Sequence, residues 1–397
     1  MADLLTIGEA QHLILERVRV LASERIALEQ AEGRVLAEEA WAAVDLPPFP
    51  SSAMDGFAVR AADTPGRMPV VFRIAAGVPA ARPMGEGEAM GIATGGVVPE
   101  GADAVIPFEY VVEHDNAVEI SDAVPRGANV RPRGSDAAAG DVVLEAGVRL
   151  GPAHLGALAA AGVGEVVCAA RPRATVLTTG TELRAPGETL GPGEVYEANG
   201  LILAAQLRSA GAVAERLAAV ADDEDAHRAA LERGLEADVL VTSGGVSVGP
   251  HDLVRRIEAE LGVEEVFWRV AVKPGKPVSF GLRGSTLVFG LPGNPVSSLV
   301  GFELFVRPAV LALQGVANPL PRFEPGQLAA AVKQSAGRDQ LVRARARLDG
   351  EGVLLEPLAG QESHMIVRAA AADALVLVPR GEGELPAGAF VSYLRLG

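Results

Sequence analysis

Two glycine-broken strand ends hold the residues with the most chemistry to offer. Val239-Leu240-Val241-Thr242 runs into Ser243-Gly244-Gly245-Val246-Ser247-Val248-Gly249, with Asp252 close behind. Thr286-Leu287-Val288-Phe289-Gly290 runs into Leu291-Pro292-Gly293-Asn294-Pro295. Short apolar runs of this kind read as buried parallel strands. A glycine-rich loop ahead of a helix lets backbone N–H groups reach an anion at the positive end of the helix dipole. The hydroxyls of Ser243 and Ser247 add donors. Between the two loops lies Lys273-Pro274-Gly275-Lys276-Pro277, which holds two of the chain's lysines, the third being Lys333. Lysine is a compact point charge suited to phosphate or an oxyanion. Positive charge elsewhere is almost all arginine, so lysine kept here points to a chemical requirement. The set predicts a phosphorylated, anionic substrate held beyond the carboxyl ends of an open α/β sheet.

Acidic residues arrive at the same predicted edge. Glu182 follows Thr178-Thr179-Gly180-Thr181, Asp222 opens Asp222-Asp223-Glu224-Asp225 after Val220, and Asp252 follows the 243–249 loop. Each alone reads equally as a helix cap or an acidic first turn. Three converging strand ends favour a cation or substrate site, and Mg²⁺ prefers one or two carboxylates plus substrate oxygens. Asp55-Gly56 and Thr94-Gly95 read first as turns. Arg343, Arg345 and Arg347 alternate along one strand and read as a solvated face. The six histidines lack metal-ligand spacing.

The elements that must carry these residues follow from length and pattern. A chain of 397 residues exceeds one core and predicts several domains. Gly at 46 and Pro at 27 imply many turns. Residues 6–40 read as helical, with a capping box at Thr6 and Glu9. From Pro47 to about Asp136 short β-like runs predict a β domain. From Ala174 to Leu313 strands and helices alternate, predicting a doubly wound sheet. Beyond Pro319 the pattern is again β and predicts a small barrel. A net charge of −16 argues against nucleic acid as a partner. No apolar run is read as long enough to cross a membrane, no secretory signal is visible, and the single Cys168 excludes an internal disulfide. A cytoplasmic protein is expected.

Taken in order, the motifs resemble one family. They are Ser52-Ala53-Met54-Asp55-Gly56-Phe57-Ala58, Thr94-Gly95 with Pro99-Glu100-Gly101-Ala102-Asp103, and Asn129-Val130-Arg131-Pro132-Arg133-Gly134-Ser135-Asp136. Thr179-Gly180-Thr181-Glu182-Leu183, the 243–249 loop with Asp252, the lysine turn and Leu291–Ser297 complete the set. The chain resembles the molybdopterin molybdenumtransferases, MoeA in bacteria, related to the E domain of gephyrin. The resemblance implies an α/β multidomain protein with an elongated helical dimerisation part (1–42 and 138–168), a β domain (43–137), a molybdopterin-binding α/β domain (169–316) and a C-terminal β-barrel (317–397).

The activity implied is insertion of molybdate into adenylylated molybdopterin with release of AMP, assisted by Mg²⁺. A homodimer, contact with the molybdopterin adenylyltransferase, and no nucleic-acid or membrane partner are implied too. Asp55, Glu182, Asp252, Lys273 and Lys276 would be catalytic, and Asp222 and Asp252 would hold Mg²⁺. Thr94, Asp222, Ser243, Gly244, Gly245, Ser247, Arg269, Pro292, Gly293, Asn294, Pro295, Arg338 and Ser363 would bind substrate, with Asp55 and Thr94 coming from the β domain of either subunit. Phe57 replaces a common tyrosine, Arg269 a common lysine, Thr181 a common aspartate and Ser135 an acidic residue. Two rivals are a single-domain adenylyltransferase resembling 169–316, which the extra domains oppose, and a gephyrin-like scaffold, which would need neither Asp252 nor Lys276.

Overall fold

Val239, Leu240 and Val241 are wholly buried, as a strand covered on both faces must be. The computed structural model describes residues 4–75, 77–220, 223–245, 253–350 and 352–396. Val239–Ser243 sits inside a six-stranded sheet between Arg173–Thr178 and Thr286–Leu291. Val213–Arg216 completes a parallel set of four on one side. On the other side Ser279–Arg283 and Glu264–Trp268 add antiparallel strands, so the sheet is mixed. The helices Asn199–Ser209, Glu224–Gly234 and Leu253–Glu260 and the helical run from Pro295 to Leu313 follow its strands.

The run Pro295–Leu313 corrects the sequence expectation about apolar length. It spans 19 residues at mean hydropathy 1.6, enough to cross a membrane, yet 72% of it is buried inside the protein. Val300, Phe302, Leu304, Phe305 and Val310 are all 0% exposed and pack with Leu203, Phe289 and Leu291 in the main core. It is therefore read as the core helix of the α/β unit.

The helix expected over 6–40 stops early. The capping box is present, with Glu9 N–H donating to Thr6 Oγ1 at 3.2 Å and Thr6 N–H to Glu9 Oε2 at 2.8 Å, but the helix is Ile7–Leu15. Ser23–Ala27 instead forms a strand antiparallel to Glu165–Ala169. Local propensity is a weak preference, and a partner strand overrides it. Arg34 locks that pairing, donating to Ala169 O at 2.8 Å and to the Glu24 carboxylate. The short helix buries Ala10 and Ile14 in the α/β core.

The β region carries a six-stranded sheet in the order Ala104–Pro107, Gly56–Val59, Ala89–Ile92, Gly66–Ile74, Ala117–Ile120, Val112–His114. At the other end of the chain Asp339–Asp349, Gly352–Pro357, Phe323–Leu328, Phe390–Arg395 and Ala374–Val378 close on themselves through a further pairing of the first with the last. This is a five-stranded barrel, filled by Leu328, Val342, Ala344, Leu355, Val376 and Tyr393.

Candidate active site

Register places three strand ends in one row: Thr178 opposite Ser243, and Ser243 opposite Leu291. The loops leaving them are tied by backbone bonds, Thr179 N–H to Ser243 O at 3.1 Å and Gly244 N–H to Leu291 O at 3.2 Å. Gly244 has φ +97°, and a Cβ there would lie 2.7 Å from Thr179 O. Only glycine fits that crossing. Gly293 differs, since a Cβ there would meet only Gly244 Cα at 3.8 Å.

Ser243 is 2% exposed, and its hydroxyl is engaged within the protein. Its Oγ donates to Pro292 O at 3.1 Å and lies 3.2 Å from Ser298 Oγ. Asn199 Nδ2 donates to Ser243 Oγ at 2.8 Å and to Gly293 O at 2.7 Å. Sequence reasoning missed Asn199, because an asparagine opening a helix reads as a cap. Its amide instead clasps both glycine loops, so Ser243 and Asn199 shape the wall. Glu197, 5% exposed, supports that helix start by accepting from Gly200 N–H at 2.6 Å and from Arg216 at 3.1 Å.

The lysine turn packs on the first turn of the helix Pro295–Gly301. A Cβ at Gly275 would lie 3.5 Å from Ser297 O. Arg269 N–H donates to Val278 O at 2.9 Å and Val270 N–H to Lys276 O at 3.0 Å, closing the turn. Arg269 has φ +91°, a sparsely populated conformation for a side chain of this size, and its guanidinium lies 3.7 Å from the Trp268 ring centroid. Arg255 covers the same ring at 4.2 Å, and the indole Nε1 is buried without a hydrogen-bond partner among the described residues.

The barrel adds a further cation. Val272 and Lys273 pair in parallel with Asp339 and Gln340, which sets Arg338 level with Ala271, two residues before Lys273. Lys273 is exposed, while Arg269, Lys276 and Arg338 are half-buried. Among the described residues none of the four makes an ion pair with a carboxylate, whereas about half of the other arginines do. Ser363 reaches the same helix end through its backbone, accepting from Val296 N–H at 3.1 Å. Asn294 is exposed at the N-cap position with no side-chain capping bond, and Pro295 begins the helix.

Arg343 corrects the expectation of a solvated arginine face. It is 3% exposed and builds the loop that carries Ser363. Its guanidinium donates to Gly360 O at 2.9 Å, Met365 O at 3.1 Å and Glu362 O at 3.3 Å, while Gln361 Nε2 donates back to Arg343 O at 2.9 Å. Burial pushes its pKa down from the ordinary arginine value. Arg345 and Arg347 are exposed as expected.

Asp55 and Thr94 meet in the β region, where Thr94 N–H donates to Asp55 Oδ1 at 2.7 Å. Both are exposed. Asp-Gly is not a turn here. Gly56 begins the strand Gly56–Val59, and a Cβ on it would lie 2.0 Å from Ile106 O, so close backbone approach demands glycine. Among the described residues no hydrogen bond joins Asp55 or Thr94 to the strand-end loops of the α/β unit. Glu182 is exposed beside Gly180, its carboxylate folded over that glycine. Gly245 has φ +66° beside Val254. Asp222, Ser247 and Asp252 lie outside the described residues.

Comparison with known proteins decides the family. The chain is 36% identical to molybdopterin molybdenumtransferase 2 of Mycobacterium tuberculosis over 398 residues, covering 96% of this chain and 97% of that one. The chain belongs to the molybdopterin molybdenumtransferase, or MoeA, family. It is 31% identical to the molybdopterin molybdenumtransferase of Staphylococcus aureus over 396 residues, covering 98% and 94% of the two chains. The MoeA N-terminal region (domain I and II) matches residues 5–162, the probable molybdopterin binding domain 175–312, and the MoeA C-terminal region (domain IV) 325–396. Two solved MoeA proteins from Pyrococcus horikoshii superpose with TM-scores of 0.81 and 0.85 at 30% and 27% identity, each over 99% of this chain. As a MoeA-family member the chain is a transferase of molybdenum cofactor biosynthesis. The full-length match leaves no place for the single-domain rival.

Proposed function

We propose that the chain inserts molybdate into adenylylated molybdopterin, releasing AMP, with Mg²⁺ assisting. The observation that carries this is the group Arg269, Lys273, Lys276 and Arg338, four cations without a carboxylate partner among the described residues, in a chain of net charge −16. Such charges suit a substrate that brings several anionic oxygens of its own. We assign Lys273 and Lys276 to the phosphates and to molybdate, with Arg269 held ready against Trp268. The amides of Gly244 and Gly245 and the Pro292–Pro295 loop form the wall behind them. Ser363 and Arg338 close the side nearest the barrel.

Among the described residues no three His, Cys, Asp or Glu side chains group around a possible metal position. The carboxylates we assign to Mg²⁺ are Asp222 and Asp252, which follow the strand ends tied to Thr179 by the Thr179–Val220 bridge and the Ser243 bond. One or two carboxylates with substrate oxygens is the donor set this ion prefers. When bound it would polarise the phosphoanhydride. Glu182 lies at the same edge. In the proposed step a water or molybdate oxygen attacks a phosphorus of the phosphoanhydride, AMP leaves as that P–O bond breaks, and we assign Asp55, whose carboxylate accepts from the Thr94 amide, to take up the proton.

We expect Asp55 and Thr94 to come from the partner subunit of a homodimer. What supports this is that the pair stands exposed on the β region, joined by the Thr94 N–H bond to Asp55. A cytoplasmic location and a handover contact with the molybdopterin adenylyltransferase complete the proposal. Incubating the purified protein with adenylylated molybdopterin, molybdate and Mg²⁺ tests it. AMP should appear in step with the cofactor. No AMP above the protein-free control, under conditions where a MoeA relative releases it, would refute the proposal.

A further inference from the structure

A cavity of about 580 Å³ has none of the strand-end loop residues in its lining. It opens between the helix Asn199–Ser209, the helical run 295–313, the segment Ala369–Ala372 and Arg395. Its volume is in the range that holds small molecules. Asn199, which clasps the glycine loops, is six residues before the first lining residue of that helix, Ala205. At 1.5 Å per residue the two are about 9 Å apart along the axis.

The cavity is fitted with polar groups from both helices. The helical run widens into a π turn at Phe302–Val306, a feature that recurs at functional positions. Gln206 Nε2 donates to Glu303 Oε1 at 2.7 Å and to Leu299 O at 3.3 Å. Both partners are acceptors, which fixes the amide orientation. Gln206 Oε1 is then left buried without a partner among the described residues. Glu303 takes two bonds from Arg307, at 2.5 and 2.9 Å, and Arg307 also donates to Ser209 Oγ at 3.1 Å.

Positive charge gathers around Ser209. Arg149 donates to its backbone oxygen at 2.8 Å, and Arg395 lines the cavity, donating to Tyr393 at 3.1 Å. Burial, then the nearby charges of Arg307 and Arg171, hold the Arg149 guanidinium below its ordinary pKa. Among the described residues neither Arg149 nor Arg171 has a carboxylate partner, and Glu303 is the one carboxylate lining the cavity. Of the two arginines that line the cavity, Arg307 is paired with Glu303 and Arg395 is bonded to the Tyr393 hydroxyl, and a phosphate between them would accept from both guanidinium groups.

We propose that this cavity binds a phosphate monoester, its phosphate on Arg307 and Arg395 and its organic part along the apolar lining of Leu299, Ala369, Ala370 and Leu396. A nucleoside monophosphate and a sugar phosphate share that chemistry. The site is separate from the one assigned to the transferase reaction, and its occupancy bridges the α/β unit and the barrel.

Calorimetric titration of the full-length protein with AMP, ribose 5-phosphate and inorganic phosphate tests this, in a Lys273→Ala/Lys276→Ala background that weakens the strand-end site. At least one of the two esters should bind, more tightly than inorganic phosphate, and whichever binds identifies the source. Arg307→Gln should weaken that binding at least about tenfold, the size of one charge-assisted hydrogen bond. Ser209→Trp, at an exposed helix end, should block it while keeping the Glu303–Arg307 pair and the melting temperature. Binding of neither ester, binding untouched by both substitutions, or inorganic phosphate binding as tightly as the esters would overturn the proposal.

Discussion

Arg343 and the cations of the 269–276 turn belong to the same residue class and lie within one connected region, yet their circumstances are opposite. Arg343 is 3% exposed and gives its guanidinium to three backbone carbonyls of the 360–365 loop. Lys273, Lys276 and Arg269 have no carboxylate partner among the described residues and stand at the end of a helix. One cation holds the chain together. The others are held ready by the chain. The difference teaches that a cation's partners and burial, rather than its type, divide structure from chemistry, and the two roles separate by measurement.

The largest effect is expected at the turn. Lys273→Ala/Lys276→Ala should slow AMP release roughly a thousandfold, at about 2 kcal/mol for each lost charge-assisted contact, with an unchanged melting temperature. Arg343→Ala should do the reverse in kind. It removes a buried guanidinium from three loop carbonyls and should destabilise the protein by about 3 kcal/mol in denaturant titration. Activity should then fall only as far as the 360–365 loop loosens. If Arg343→Ala melted like the wild type, the division between the two groups would fail.

The two glycine loops sharpen the same contrast. Gly244→Ala puts a methyl 2.7 Å from Thr179 O at φ +97° and should cost about 2 kcal/mol. Gly293→Ala meets nothing closer than 3.8 Å and should stay within about 0.5 kcal/mol of the wild type by thermal melting. A smaller effect is expected at Asp45, which accepts from Ala139 N–H at 2.8 Å and from Arg133. Those bonds, the backbone one first, hold its carboxyl below the usual range. A depressed carboxylate stabilises above its unfolded pKa and loses that contribution as pH falls through the folded value. Asp45→Asn should therefore melt slightly below the wild type at neutral pH, and the gap should close below about pH 4.

Much of this was legible in the residues. Apolar runs ending in Ser-Gly-Gly and Leu-Pro-Gly-Asn-Pro located the parallel strands, and lysine scarcity located the turn. Arg343 was not legible, because Arg-Ala-Arg-Ala-Arg alternates as a half-solvated strand does. Its outer face is covered: Leu341, two residues before it, lies in the α/β core while Val342 and Ala344 fill the barrel. Asn199 escaped for a related reason, since its bonds reach residues 44 and 94 positions away. The helix expected to Ala40 failed because the strand at 165–169 outweighs local propensity at 23–27. The antiparallel strand Ser279–Arg283 carries Gly281, and it was settled by its hairpin with Thr286–Leu291.

Cations left unpaired in the folded chain are assigned here to the anionic substrate. Equilibrium affinity for adenylylated molybdopterin, measured side by side on the wild type and on Lys273→Ala/Lys276→Ala, tests that assignment most directly. The variant should bind at least about a hundredfold more weakly at equal melting temperature. Equal affinity in the two proteins would contradict it.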